Sequence, residues 1–190
     1  MSTLIDRRRV LEDTLAGYEL LARRRVDAGW RAYLVTMTFR HLRGKPDAVL
    51  TQMLDEAERF YSRFVTRIVR RPRVEVASLP VLIVAPDRPV GKSGKRLRDV
   101  VVNDGLHLHG VLLVPPISRL RVAADEHVRS EHPFYVASRA GEPPRLVAID
   151  VRPVDNDVDR VVSYGLKSVA RRRFSPDDVL VLPKASSELS

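Results

Sequence analysis

The sequence of 190 residues is long enough for one domain with a real core, and 44% of it is hydrophobic. It holds no cysteine, which excludes disulfides, thiolate nucleophiles, cysteine-ligated zinc and iron–sulfur clusters. Lysine and arginine number 33 against 24 acidic residues, a formal charge of +9, so an anionic polymer, nucleic acid first, is the expected partner. No apolar run approaches the roughly 20 residues that cross a bilayer, so no membrane partner is expected. The opening MSTLIDRRRVLEDTL lacks the apolar stretch of a signal peptide, and a cytoplasmic location is the expectation.

The first predicted element is a helix from Thr3 to Ala28, with Leu4, Leu11, Leu15, Tyr18 and Leu21 at helical spacing and Gly29 closing it. Its clusters Arg7 to Arg9 and Arg23 to Arg25 read first as a solvated face, with phosphate contact as the alternative. Trp30 to Phe39 alternates and is β-branched and aromatic, so it predicts a strand. Pro46 opens a long amphipathic helix to about Arg71, whose core stripe is Val49, Leu50, Met53, Ala57, Phe60, Phe64 and Ile68. Val74 to Ala77 and Val81 to Ala85 are strand-like. Between Pro86 and Asp104 lie proline, glycine and serine with Arg88, Lys92, Lys95, Arg96 and Arg98, the pattern of an exposed basic loop suited to nucleic acid.

Leu106 to Val114 (LHLHGVLLV) predicts a strand stopped by Pro115 and Pro116. A short helix is expected within Ile117 to Val128, and a strand over Arg145 to Val151. Asn156 or Asp157 caps a helix through about Arg172, with Val158, Val161, Val162, Leu166 and Val169 toward the core. Val179 to Leu182 is a last strand. The expected organisation is a basic N-terminal helix (1–29), one domain (30–183) and a polar tail (184–190). The interleaved order predicts an α+β fold, a mainly antiparallel sheet with helices packed on it.

Two motifs carry chemistry. His107 and His109 flank Leu108 inside an apolar strand, so period-two alternation puts both imidazoles on one face. Two neutral imidazoles there can share one metal ion, and buried polar rings would otherwise need other partners. Tyr164 and Lys167 are three apart on a predicted helix and share a face, which Ser168 and Arg171 extend. An ammonium beside a phenol favours the phenolate, the form a tyrosine nucleophile uses. A surface tyrosine beside a solubilising lysine has the same spacing. Arg171 to Arg173 could contact phosphates or complement a helix C-terminus. His41, His127 and His132 read as loop or surface residues.

Apolar-His-apolar-His-apolar on a strand, then Tyr-x-x-Lys on a helix some fifty residues later, resembles the HUH endonucleases. The resemblance is nearest to rolling-circle replication initiators with one tyrosine, and it covers residues 30 to 172. Leu34 to Phe39, with Thr36 and Thr38, fits the family's first motif strand. The resemblance implies a ferredoxin-like or RRM-like central antiparallel sheet with the histidine strand central and the tyrosine helix across the metal site. It implies Mg²⁺ or Mn²⁺ held by His107 and His109, with Tyr164 as nucleophile on single-stranded DNA or an origin hairpin, and Lys167 supporting it or the phosphate. Asp87, ending the preceding strand, is the first choice for a third ligand, and Asp104 the second. Arg88, Lys92, Lys95, Arg96, Arg98, Arg171, Arg172, Thr36 and Thr38 are the expected DNA contacts.

Gly91-Lys92-Ser93 lacks the upstream glycine of a P-loop, so a host helicase and polymerase are expected as partners. The glutamate a cupin would carry after the second histidine, the second His-x-Thr of two-histidine phosphoesterases and the His-Glu-x-x-His of metalloproteases are absent. A one-tyrosine transposase, or a non-catalytic DNA-binding protein or repressor on the same fold, is the competing expectation.

Overall fold

The computed structural model describes residues 4–72, 78–88, 103–138 and 142–184. Helix α1 (Leu4–Asp27) leads into strand β1 (Arg31–Phe39), helix α2 (Pro46–Ile68) and strand β2 (Val81–Asp87). Strand β3 (His107–Val114), short helices α3 (Ala124–Ser130) and α4 (His132–Val136), and strand β4 (Leu146–Pro153) follow. Helices α5 (Val158–Gly165) and α6 (Lys167–Ala170) and strand β5 (Leu180–Leu182) complete the described chain.

The sheet runs β4-β1-β3-β2-β5, and every neighbouring pair is antiparallel. Its first four strands, with α2 joining β1 to β2 and α3–α4 joining β3 to β4, follow the split β-α-β-β-α-β arrangement, to which β5 adds an edge. The expected α+β architecture is therefore the one observed, including the N-terminal helix.

Both faces are covered, by different means. Met53, Ala57, Phe60, Phe64 and Ile68 recur every three or four residues along α2 and bury against Val35, Met37, Leu108, Leu112 and Val151. Tyr135 of α4 wedges beside them, its ring centroid 5.3 Å from that of Phe60. On the opposite face α1, α5 and α6 cover a layer of smaller residues, Ala32, Ala85, Ile83, Val111 and Leu113. Asp157 starts α5 by accepting a hydrogen bond from the Arg160 amide, the cap that its position before an apolar stripe predicts.

Several boundaries differ from expectation. Pro86 and Asp87 continue β2 rather than opening a loop, because the ladder with β3 runs on to the pair Asp87–His107. The helix expected from Asn156 or Asp157 to Arg172 breaks at Leu166; across the break Val162, Leu166 and Val169 all stay buried. The short helix expected within Ile117 to Val128 is α3, which starts at Ala124, since earlier residues bond elsewhere, Leu120 N to Ser118 Oγ and Arg119 N to Ile68 O. His127 is not a loop residue: it lies on α3 with Nε2 2.9 Å from Tyr135 Oη. The expected strand Val74 to Ala77 lies outside the described residues, as do Lys92, Lys95, Arg96 and Arg98.

Phe60 is fully buried at the centre of the α2 layer. Phe60→Ala should lower unfolding free energy by about 3–5 kcal/mol through the lost transfer term and the cavity, read from denaturant titration.

Candidate metal centre and tyrosine

Strand β3 is central, flanked by β1 and β2. Alternation sends Leu108 and Leu112 toward α2, while His107, His109, Val111 and Leu113 share the face under α5 and α6. Asp87 of β2 is the register partner of His107, which sets a carboxylate beside the imidazoles. Asp87 is 1% exposed and His109 7%. One ligand atom from each of Asp87, His107 and His109 can be chosen so that all lie within 4.8 Å of one another. These three residues could hold a metal ion.

The donor atoms fit that role. His107 Nδ1 lies 3.0 Å from the Gly105 carbonyl oxygen, which can only accept. Nδ1 therefore carries a hydrogen, which leaves Nε2, 3.6 Å from Asp87 Oδ2, as the atom that could ligate. Both ring nitrogens of buried His109 have no hydrogen-bond partner among the described residues. Such an orphaned polar group costs about 1–3 kcal/mol, which a bound cation would relieve. Burial, then the charges of His107 and Lys167, push His109 down to about 4, so it is the neutral imidazole that metal ligation needs. Burial by itself would raise Asp87, but hydrogen bonds from Lys167 and Ser168 and the charges of Lys167 and His107 hold it below the ordinary carboxylate value.

The tyrosine arrives from above. Tyr164, half exposed, meets His109 edge-on with ring centroids 5.1 Å apart and planes at 83°. The glycine that ends α5 allows this. A Cβ on Gly165 would stand 2.9 Å from Gly110 Cα, whereas a Cβ on Gly110 would meet β2 instead, 1.9 Å from the Ile83 carbonyl oxygen. Helix α5 can therefore rest backbone on backbone against β3. The residues just before the two glycines, His109 and Tyr164, are thereby brought into contact. From outside, α1 holds α5 in place: Arg23 Nε lies 3.1 Å from Asp159 Oδ2, and Ser163 Oγ donates to Glu19.

Lys167 Nζ is 4.1 Å from the centre of the Tyr164 ring, so the expected shared face holds despite the break at Leu166. The same Nζ lies 2.7 Å from Asp87 Oδ2. Ser168 does not extend an outer face; it is buried and donates its hydroxyl to Asp87 Oδ1. Thr36, on β1, is the register partner of His109 on β3 and of Asp150 on β4. Thr38, two residues on, is exposed on the same face.

Arg88 follows Asp87 and places its guanidinium 5.8 Å from the centre of the Phe174 ring. With Arg172, Arg173 and Leu106 it lines an open pocket of about 470 Å³, whereas Arg171 is exposed and outside it. A larger pocket of about 790 Å³ lies at the far end of β1, around Trp30 and Asp155, and holds none of the candidate residues. Gly110, Gly165 and the role of Ser168 escaped sequence reasoning. The available signal was an isolated glycine inside a strand pattern and another inside a helix pattern, each a mark of close backbone approach. Among the described residues no helix is long and apolar enough to cross a membrane.

A histidine near 6.5 when unfolded and about 4 when folded takes up protons in the unfolded chain first. Its contribution to stability, of the order of 3 kcal/mol, should be full above pH 6.5 and vanish as pH falls to about 4. His109→Leu should flatten the pH dependence of metal-free unfolding free energy across that window, measured by denaturant titration at several pH values. No family model matches the sequence, and no curated protein or solved structure matches it.

Proposed function

We propose that the protein nicks and rejoins single-stranded DNA through a 5′-phosphotyrosine on Tyr164, with a divalent cation at Asp87, His107 and His109. The observation that carries this reading is the half-exposed Tyr164 ring standing edge-on over His109, whose buried nitrogens belong to a three-residue ligand set. A nucleophile of this type needs an open approach and an electrophile held beside it; the half-exposed ring supports the first, and a cation at the triad would hold a phosphate for the second. Two imidazoles and one carboxylate suit a borderline cation such as Mn²⁺, with Mg²⁺ the harder, oxygen-seeking alternative.

A cation held there supplies Lewis-acid polarisation of a phosphate oxygen. The remaining chemistry belongs to the chain. Tyr164 Oη forms the new bond to phosphorus and the bond to the 3′ oxygen breaks. The phenol proton ends, through solvent, on that oxygen as a free 3′-hydroxyl. Because one phosphodiester replaces another, the reverse reaction rejoins strands without a nucleotide cofactor. The net charge of +9 and the Arg88 and Arg172 pocket support binding of the polyanion. Within this reading the free 3′-hydroxyl primes a host polymerase, with a host helicase opening the duplex, as at the start of rolling-circle replication of a plasmid or phage.

With Mn²⁺ and a pool of labelled single-stranded oligonucleotides, the protein should form an adduct that survives a denaturing gel. Tyr164→Phe should abolish the adduct while leaving DNA affinity within a few-fold. His107→Ala or His109→Ala should remove Mn²⁺ binding and cleavage together. Gly165→Ala, which lifts α5 from β3, should retain Mn²⁺ binding but slow adduct formation by about 100-fold, the scale of an ångström-sized misplacement. Intact DNA binding with no adduct at any sequence in the pool would instead identify a non-catalytic binder.

A further inference from the structure

Asp87 has both oxygens engaged. Ser168 Oγ donates to Oδ1, and the Lys167 ammonium lies 2.7 Å from Oδ2. His107 Nε2 faces that same Oδ2 at 3.6 Å. The Lys167 side chain is only 22% exposed, and its ammonium lies 4.1 Å from the centre of the Tyr164 ring. The ammonium is therefore held between the buried carboxylate and the tyrosine, at the mouth of the ligand triad.

A carboxylate this deep needs a cation, because an uncompensated buried charge is strongly destabilising. Lys167 meets that need. A divalent cation taking Asp87 with His107 and His109 would meet it at the same carboxylate, and two cations so close repel each other. We infer that Lys167 is the resident counter-cation of Asp87 and that an incoming divalent metal displaces its ammonium, freeing it beside Tyr164 to meet an anionic phosphodiester. This rests on the metal-centre reading and adds an order to it, metal before substrate. Coupling of this kind is reciprocal: an anion that draws Lys167 away from Asp87 tightens the metal by the same factor by which the metal tightens the anion.

The test is Mn²⁺ titration calorimetry of the metal-free 190-residue chain and of Lys167→Gln and Lys167→Met. Both variants should bind Mn²⁺ tighter, within the roughly 5–150-fold usual for coupled sites. A second measurement needs no variant. In protein carrying ¹⁵N-lysine, the Lys167 ammonium resonance should shift in step with Mg²⁺ saturation. Equal or weaker Mn²⁺ binding by folded variants, or a Lys167 resonance unmoved at Mg²⁺ saturation, would overturn the inference and leave the metal centre standing. Absence of Mn²⁺ binding in all three proteins would overturn the metal centre itself, and the inference with it.

Discussion

Where α5 crosses β3, two backbones touch without side chains between them, and the candidate site is built around that crossing. Helices normally stand off their neighbours by about 8–10 Å because side chains fill the gap. Here Gly165 removes the filling on the helix side, where it meets Gly110 Cα, while the Cβ missing from Gly110 would have met the β2 backbone at Ile83. Nothing in the chemistry of His109 or Tyr164 alone would hold an exposed phenol against a buried imidazole. The short approach does so, and by carrying the start of α6 down with it, brings Lys167 and Ser168 within reach of Asp87. The N-terminal helix acts on the same crossing from outside, through Arg23 and Glu19 on either end of α5.

The electrostatics divide along the same line. On the outside the chain is strongly basic, with exposed Arg88, Arg171 and Arg172 near the ends of β2 and α6. Inside, one buried carboxylate and two imidazoles form a small electron-rich spot. A basic surface around an interior that could hold a cation is the charge pattern that the proposed metal-assisted phosphoryl transfer would need.

Much of this was legible in the sequence because it depends on periodicity. Period-two alternation put His107 and His109 on one face, and the three-four spacing from Met53 to Ile68 marked the buried face of α2. Tyr164 and Lys167 were paired correctly by helical spacing, although the helix is interrupted between them. Asp87 is marked by its place at a strand end, but what sets it beside His107 is the register between β2 and β3, which no spacing within either strand reveals. The contact of Gly110 with Gly165 was invisible for the same cause: a glycine shows where a side chain is missing but not which backbone uses the space. Ser168 misled because spacing fixes only an angle on a helix, and the break at Leu166 changed what that angle faces.

The pairing of Asp87 with His107 makes the centre a gauge of strand alignment. Side chains on neighbouring residues point to opposite faces, so sliding β2 along β3 by one position would turn Asp87 toward the α2 face and leave the imidazoles facing Pro86 or Arg88. A two-residue slide would keep the face but separate the carboxylate from His107 by a full pleat repeat. The observed alignment closes the ligand set, so a cation that bridges it would act as a clasp between two strands as well as a reagent.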